Sequence, residues 1–266
     1  MSAIKDINLA KSGWDKINWV KSYMPILNSI NKRFSEEKPF AGKKISMSIH
    51  LEAKTAYLAL TLAAGGAEVY VTGCNPLSTQ DDVAAALVDA GFEVNAWRGV
   101  TDEEYEEHLK KTLSLCPDVM IDDGGDLTHL LHGECREYGK NLIGGAEETT
   151  TGIHRLLSRE KAGKLDYTMV DVNDADCKHL FDNRYGTGQS TLDGIMNATN
   201  LFLQARPLLS AAMAGAVRVW QCAQRVWVLS LSSPKLIPSR QSRLSWTALL
   251  SCRWTKPQRS AICLLR

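Results

Sequence analysis

The segment ISMSIHLEAKTAYLALTLAAGGAEVYVTGCN, residues 45–75, holds the pattern that decides the fold. Ile45 to Ile49 reads as a short strand. From about Glu52 to Ala64 the composition turns to Ala and Leu, which favour a helix. Val69 to Val71 then forms the core of a second strand. Two strands joined through a helix are the unit of a parallel sheet, because parallel neighbours need a long crossover between them.

The same unit recurs outward from this segment. A helix is expected from about Gln80 to Ala90, capped by Ser78 or Thr79, and a third strand over Phe92 to Trp97. Thr101-Asp-Glu-Glu104 has the spacing of a capping box and opens a helix running to about Leu115. Asp118 to Ile121, Asn141 to Ile143 and Tyr167 to Val172 supply three further strands. Residues 8–35 have helical composition with Trp14, Ile17 and Met24 as apolar positions, interrupted at Pro25. The expected fold class is therefore α/β, a doubly wound and mostly parallel sheet flanked by helices. Ligands of such sheets sit beyond the carboxyl ends of the strands. The loops expected there carry His50, Cys74-Asn75, Asp122 to Asp126, Glu147 to Thr151 and Asn173-Asp174, which converge on one crevice.

Composition narrows the class. With 266 residues, 44% hydrophobic and 23% charged, the chain is neither a disordered tail, a collagen-like repeat nor a disulfide miniprotein. The net charge of +1 conceals two unlike segments. Residues 1–203 hold all 30 acidic residues against 21 Lys and Arg, a formal charge of −9, whereas residues 204–266 hold 10 basic residues and no acid. All 6 His precede residue 204, and four of the 7 Trp follow it. The boundary expected is 1–203 for a substrate-binding domain and 204–266 for an aberrant basic tail, irregular or disordered. Seven Cys without a C-x-x-C pair point to a reducing compartment. No signal peptide core and no 18-residue apolar run is seen, so the expected location is cytoplasmic, with no membrane partner.

Several clusters carry chemistry, and each also has a structural reading. In DDGGD, residues 122–126, two glycines permit a tight turn beside three carboxylates suited to hydroxyl binding or proton transfer. The same residues also read as a plain strand-to-helix turn with Asp126 as N-cap. GGAEETTTG, residues 144–152, sets two Glu and three hydroxyls at a helix start, more than capping alone needs. Lys178 and Asp182 in KHLFDN are four apart and share a helix face, either as a surface pair or as a buried base with its partner. His129 and His132 could form a metal pair, but no further ligands have matching spacing, and no metal is expected.

At these motifs the sequence resembles the S-adenosylhomocysteine hydrolase (adenosylhomocysteinase) family over about residues 5–203. The resemblance is carried by MPIL, SIHLEAKTA, GCNPLSTQD, AWRGVTDEEY, DDGGDLT, EETTTGIHRL, VNDADCKHLFDNRYG and STLDGIMNATN. It implies a tightly held NAD, oxidation of a ribose 3′-hydroxyl, loss of homocysteine, addition of water and reduction of the ketone. The substrate implied is a nucleoside thioether, and the intact family enzyme is usually a homotetramer. By position, Lys178 and Asp182 would contact the 3′-hydroxyl, with Lys178 as base. Glu148 would bind the ribose, and His50 and Asp123 would do acid-base work near C4′ and the leaving sulfur. Asn75 is counted with the substrate-binding residues. Thr149, Thr150, Thr151 and Asn183 would face NAD.

Three positions depart from the family pattern. Glu52 and Lys54 stand where most members have a Thr and a Glu reading the purine, and Thr187 replaces a usual Cys. A Glu and Lys pair suits hypoxanthine, with Lys54 toward its carbonyl and Glu52 toward its ring N–H. Some archaeal members with similar substitutions prefer S-inosylhomocysteine, so that substrate is the alternative. The family continues into a second Rossmann domain with a G-x-G-x-x-G loop, and no such loop occurs in this sequence. Its place is taken by QARPLLSAAMAGAVRVWQCAQRVW, which reads as translation in a shifted frame. Activity of the chain alone is then not expected, and a non-catalytic nucleoside-binding fragment is the competing reading. A natural basic tail for an acidic partner is the third, although nucleic acid is not the expected partner.

Overall fold

The computed structural model describes residues 2–201, 207–210, 230–232 and 262–264. Two helices lead the chain, α1 (Ala10–Lys21) and α2 (Pro25–Glu37). Pro25 occupies the first turn of α2, where a missing N–H costs nothing. The β/α alternation follows as β1 (Lys44–Ser48), α3 (Ala53–Ala64), β2 (Glu68–Thr72), α4 (Asp81–Asp89), β3 (Glu93–Asn95) and α5 (Asp102–Leu113). It continues with β4 (Val119–Asp122), α6 (Asp126–Leu131), β5 (Gly144–Glu147), α7 (Thr150–Lys161) and β6 (Thr168–Asp171).

The six strands form one parallel sheet in the order β3-β2-β1-β4-β5-β6. This is the order of a doubly wound dinucleotide-type sheet, whose winding reverses between β1 and β4. The register aligns the carboxyl ends. Ser48 lies opposite Thr72 and Asp122, Asp122 opposite Glu147, and Glu147 opposite Asp171. Residues just beyond that row therefore emerge together.

Ile45, Met47, Leu51, Ala56, Val71, Val83 and Leu87 pack with Ile17 of α1 into one buried cluster. A second, built from Leu109, Leu113, Met120, Leu127, Leu131 and Cys135, lies around α5, β4 and α6. Burial of fully covered Leu and Ile side chains contributes about 1.5–3 kcal/mol each, which makes these clusters the main stabilising term. The edge of β3 is covered by the N-terminal segment, where Ala3 N–H donates to Val94 O at 2.9 Å and Ala96 N–H to Ala3 O at 2.9 Å. Such cover protects an open edge from pairing with another chain.

The capping box forms as expected, with Thr101 accepting from Glu104 N–H and Glu104 accepting from Thr101 N–H. Other details differ from the sequence reading. The N-cap of α4 is Gln80, because Thr79 is buried and Ser78 is hydrogen-bonded to His50 at 2.7 Å. The third strand is shorter than Phe92–Trp97. The fifth strand is Gly144–Glu147 rather than Asn141 to Ile143. Its two glycines look unlike a strand, but a Cβ at Gly145 would lie 2.6 Å from Met120 Cγ, so only glycine fits beside β4.

Contacts within the chain divide it into residues 1–173 and 174–266, ahead of the composition boundary at 203/204. The second unit opens with a π-helix (Cys177–Gly186) running into α8 (Thr187–Thr199), whose Leu192 and Ile195 are buried. The short strands β7 (Pro207–Ser210), β8 (Ser230–Ser232) and β9 (Ile262–Leu264) pair in parallel in the order β8-β7-β9. The rest of the expected tail, including its Trp residues, lies outside the described residues. Among the described residues no helix is long and apolar enough to cross a membrane.

Candidate functional site

His50 follows β1 and Asp123 follows β4, the two strands on either side of the winding reversal. Their Nε2 and Oδ2 atoms are 3.6 Å apart, with the His50 side chain 54% exposed and that of Asp123 10%. The other ring nitrogen, Nδ1, is 2.7 Å from Ser78 Oγ. Ser78 Oγ donates in turn to Asn75 O at 3.4 Å, so the loop holds Nδ1 while Nε2 faces Asp123. Asn75 Oδ1 accepts from Leu77 N–H at 2.8 Å and so shapes this loop from within.

The DDGGD turn is built by a division of labour among its carboxylates. Asp122, fully buried at the end of β4, accepts from Thr128 N–H and Thr128 Oγ1, both at 2.9 Å, and from Leu127 N–H at 3.4 Å. It thereby satisfies the first turn of α6 from outside that helix. Asp126 is not the N-cap expected from the sequence, since Gly125 holds that position with φ 78°. Gly124 has φ 112°, and this pair of positive dihedrals needs glycine. Asp126 instead binds Arg155 Nη1 at 2.7 Å and accepts from Tyr105 Oη at 3.0 Å. Arg155 also donates to Gly124 O at 2.6 Å, tying α7 to the turn.

Glu147 anchors the neighbouring loop. Its Oε1 accepts from Gly124 N–H at 2.8 Å and Thr149 N–H at 3.0 Å, while Oε2 is buried without a hydrogen-bond partner. A Cβ on Gly152 would collide with this carboxylate. Burial pushes the Glu147 carboxyl up to about 7 and that of Asp122 up to about 6, in both cases against the lowering effect of backbone donors.

Glu148 and Thr149 are half-buried beside this anchor, whereas Thr150 and Thr151 are exposed. Thr149 is the N-cap of α7 without a side-chain cap bond, and Thr150 Oγ1 donates to Asn173 Oδ1 at 3.1 Å. At the start of α3, Glu52 is the N-cap, its Oε1 accepting from Lys54 N–H at 3.0 Å and Thr55 N–H at 3.1 Å. Lys54 is exposed. Lys178, Asp182 and Asn183 belong to the second unit. Their segment is a π-helix, so the next-turn partner is five residues on, and Lys178 Nζ donates to Asn183 Oδ1 at 3.4 Å. His129 and His132 do not form a metal pair: His129 Nδ1 meets Arg159 Nη2 at 2.9 Å, and His132 is held by Thr128 O and Asp166 N–H.

The sequence reading brought His50, Asp123, Glu148 and the threonines to the same sheet edge, and the fold places them there. It missed Glu147, Asp122, Tyr105, Arg155 and Ser78 as supports. Glu147 and Asp122 lay inside the quoted motifs, but Tyr105 and Arg155 sit on helices with no local signal of their role.

The S-adenosyl-L-homocysteine hydrolase family model matches residues 1–143 and 133–237. The chain belongs to this family. An S-inosyl-L-homocysteine hydrolase of Methanocaldococcus jannaschii is 59% identical over 211 residues, covering 79% of this chain and 51% of its own length. Adenosylhomocysteinases of Thermoplasma acidophilum and Thermotoga maritima are each 54% identical over 200 residues, 75% of this chain and 49% and 50% of their own. This family member thus spans about half the length of the curated relatives it matches.

Proposed function

We propose that this chain is the nucleoside-binding part of a hydrolase that cleaves a homocysteine thioether of adenosine or inosine. The observation that carries the reading is the His50–Asp123 pair at the winding reversal of the sheet, the position where such folds bind ligands. Asp123, covered and facing the imidazole, and His50, exposed and oriented by Ser78, can exchange a proton with a carbon acid or a leaving sulfur. Glu148 accepts from ribose hydroxyls and Asn75 sits in the loop beside His50, while for Lys178 and Asp182 the family resemblance alone supports contact with the 3′-hydroxyl, with Lys178 as base.

NAD, when bound, supplies oxidation and re-reduction at the 3′ carbon. The donors present fit one part of a dinucleotide: the Thr149 hydroxyl is unused in capping, with Thr150, Thr151 and Asn183 as further contacts. They do not cradle a pyrophosphate, since the sequence has no G-x-G-x-x-G loop. The chain alone is then a nucleoside-binding fragment without turnover. Calorimetric titration with adenosine and inosine tests this reading: saturable binding lost in Glu148→Ala supports it, and binding of neither nucleoside overturns it.

Glu52 and Lys54 favour inosine as the nucleoside. A carboxylate and an ammonium from the start of α3 complement a ring N–H and a carbonyl, whereas an adenine amino group would face the ammonium. Inosine should bind about tenfold more tightly than adenosine, the worth of one well-placed hydrogen bond. Glu52→Thr combined with Lys54→Glu should invert that order. An adenosine preference in the unaltered chain would sink the base assignment and leave the nucleoside reading standing.

A further inference from the structure

Three strand ends deliver three different metal-binding side chains to one point. His50 follows β1, Cys74 follows β2 and Asp123 follows β4. One nitrogen of His50, the sulfur of Cys74 and one carboxylate oxygen of Asp123 all lie within 4.8 Å of one another. Cys74 Sγ is 3.1 Å from Asp123 Oδ2, and His50 Nε2 is 3.6 Å from the same oxygen. Bond lengths of about 2.3 Å to sulfur and 2.0–2.1 Å to nitrogen or oxygen place neighbouring ligands of a tetrahedral zinc roughly 3.3–3.6 Å apart. The 3.1 Å and 3.6 Å edges bracket that range, and the sulfur–nitrogen edge is within 4.8 Å.

The supports are those a metal site requires. Ser78 Oγ holds Nδ1 and leaves Nε2 toward the cluster, as outer-sphere partners of metal-bound histidines do. The loop carrying Cys74 is fixed by Tyr105 Oη, 3.1 Å from the Cys74 carbonyl. The hydrolytic reading has no task for the Cys74 thiol, yet a thiol beside an imidazole and a carboxylate is a donor set suited to a borderline-soft cation rather than to magnesium or calcium.

We propose that His50, Cys74 and Asp123 bind one divalent cation of the zinc class, with the fourth position open to water. The Sγ–H proton leaves to solvent as the sulfur–metal bond forms, and nothing is oxidised or reduced. The site rests on the geometry of three loops and not on the nucleoside reading, and a cation in it would take the His50 nitrogen and the Asp123 oxygen which that reading uses for proton transfer.

Titration of the full chain with Zn²⁺ by calorimetry and with Co²⁺ by absorption tests it, the second because a cobalt–thiolate bond has its own near-ultraviolet charge-transfer band. The unaltered chain should bind with that band present. Cys74→Ser should remove the band and weaken Zn²⁺ binding by more than about 100-fold, since losing even an outer-sphere partner costs about 10–100-fold. His50→Ala, at an exposed ring that folding does not need, should weaken binding comparably while the band persists at higher Co²⁺. Cys116→Ser should change neither. An unaltered chain without the band, a band surviving in Cys74→Ser, or unchanged affinity in His50→Ala would each overturn the site.

Discussion

Asp122 and Glu147 stand opposite one another at the ends of β4 and β5, both fully covered, and their raised carboxyl groups make stability depend on pH in a definite direction. An acid whose folded value exceeds its unfolded one holds its proton more firmly in the native state. Stability then falls as pH rises from the unfolded value, 4.5 for Glu147 and 3.8 for Asp122, to the folded ones near 7 and 6, and is level above. The Glu147 share is on the order of 3 kcal/mol. Glu147→Gln keeps the shape and an acceptor for Gly124 and Thr149 but has no charge to bury, so its loss of stability from pH 5 to 8 should be smaller than that of the unaltered chain. Denaturant unfolding across that range measures it, and parallel curves would refute the assignment. Nothing in the string EETTT distinguishes the anchor from its neighbour. Which Glu is buried depends on the alternation of β5 and on Gly152, a contact across the fold that local pattern does not contain.

Among the described elements, α1 and α4 approach closely. Gly13 faces the Asp82 backbone so closely that a Cβ would collide with its carbonyl oxygen, and Ala86 Cβ would stand 2.8 Å away. Three side-chain links lock the same pair of helices, Ser12 Oγ and Lys16 Nζ to Asp82 and Trp14 Nε1 to Asp89, each at 2.8 Å. Because two helix backbones cannot yield as a side-chain tip can, Gly13→Ala should destabilise by about 1–3 kcal/mol, the usual range for overpacking. Thermal unfolding reads this, and an unshifted midpoint would show that the helices separate freely. Sequence pattern resolved the elements where composition and period agreed. β1, α3 and the α5 capping box are legible from their own residues. The placement of β5 failed because its glycines are set by the neighbouring strands, Gly144 by Thr168 of β6 and Gly145 by Met120 of β4, and the caps of α4 and α6 failed because Ser78 and Asp122 act across loops.

At the scale of the molecule, the six-stranded sheet, its flanking helices and both buried clusters lie within residues 1–173. The composition boundary at 203/204 marks a change in charge and aromatic content, not the end of this core. What cooperates in unfolding is the set of residues that share buried apolar contacts, and among the described residues both large buried clusters lie before Asn173. A chain ending at Asn173 should therefore fold by itself and unfold in one cooperative transition. Its His50, Cys74 and Asp123 would remain in place, since every hydrogen bond described for them is made within that range. Lys178, Asp182 and Asn183 would be gone, and with them the contacts proposed for the 3′-hydroxyl. Circular dichroism during thermal unfolding, paired with nucleoside titration of the same fragment, tests the division. A fragment that folds but binds inosine more weakly than the full chain would place part of the nucleoside site in the second unit. One that melts without a cooperative transition would show that the core needs residues beyond Asn173.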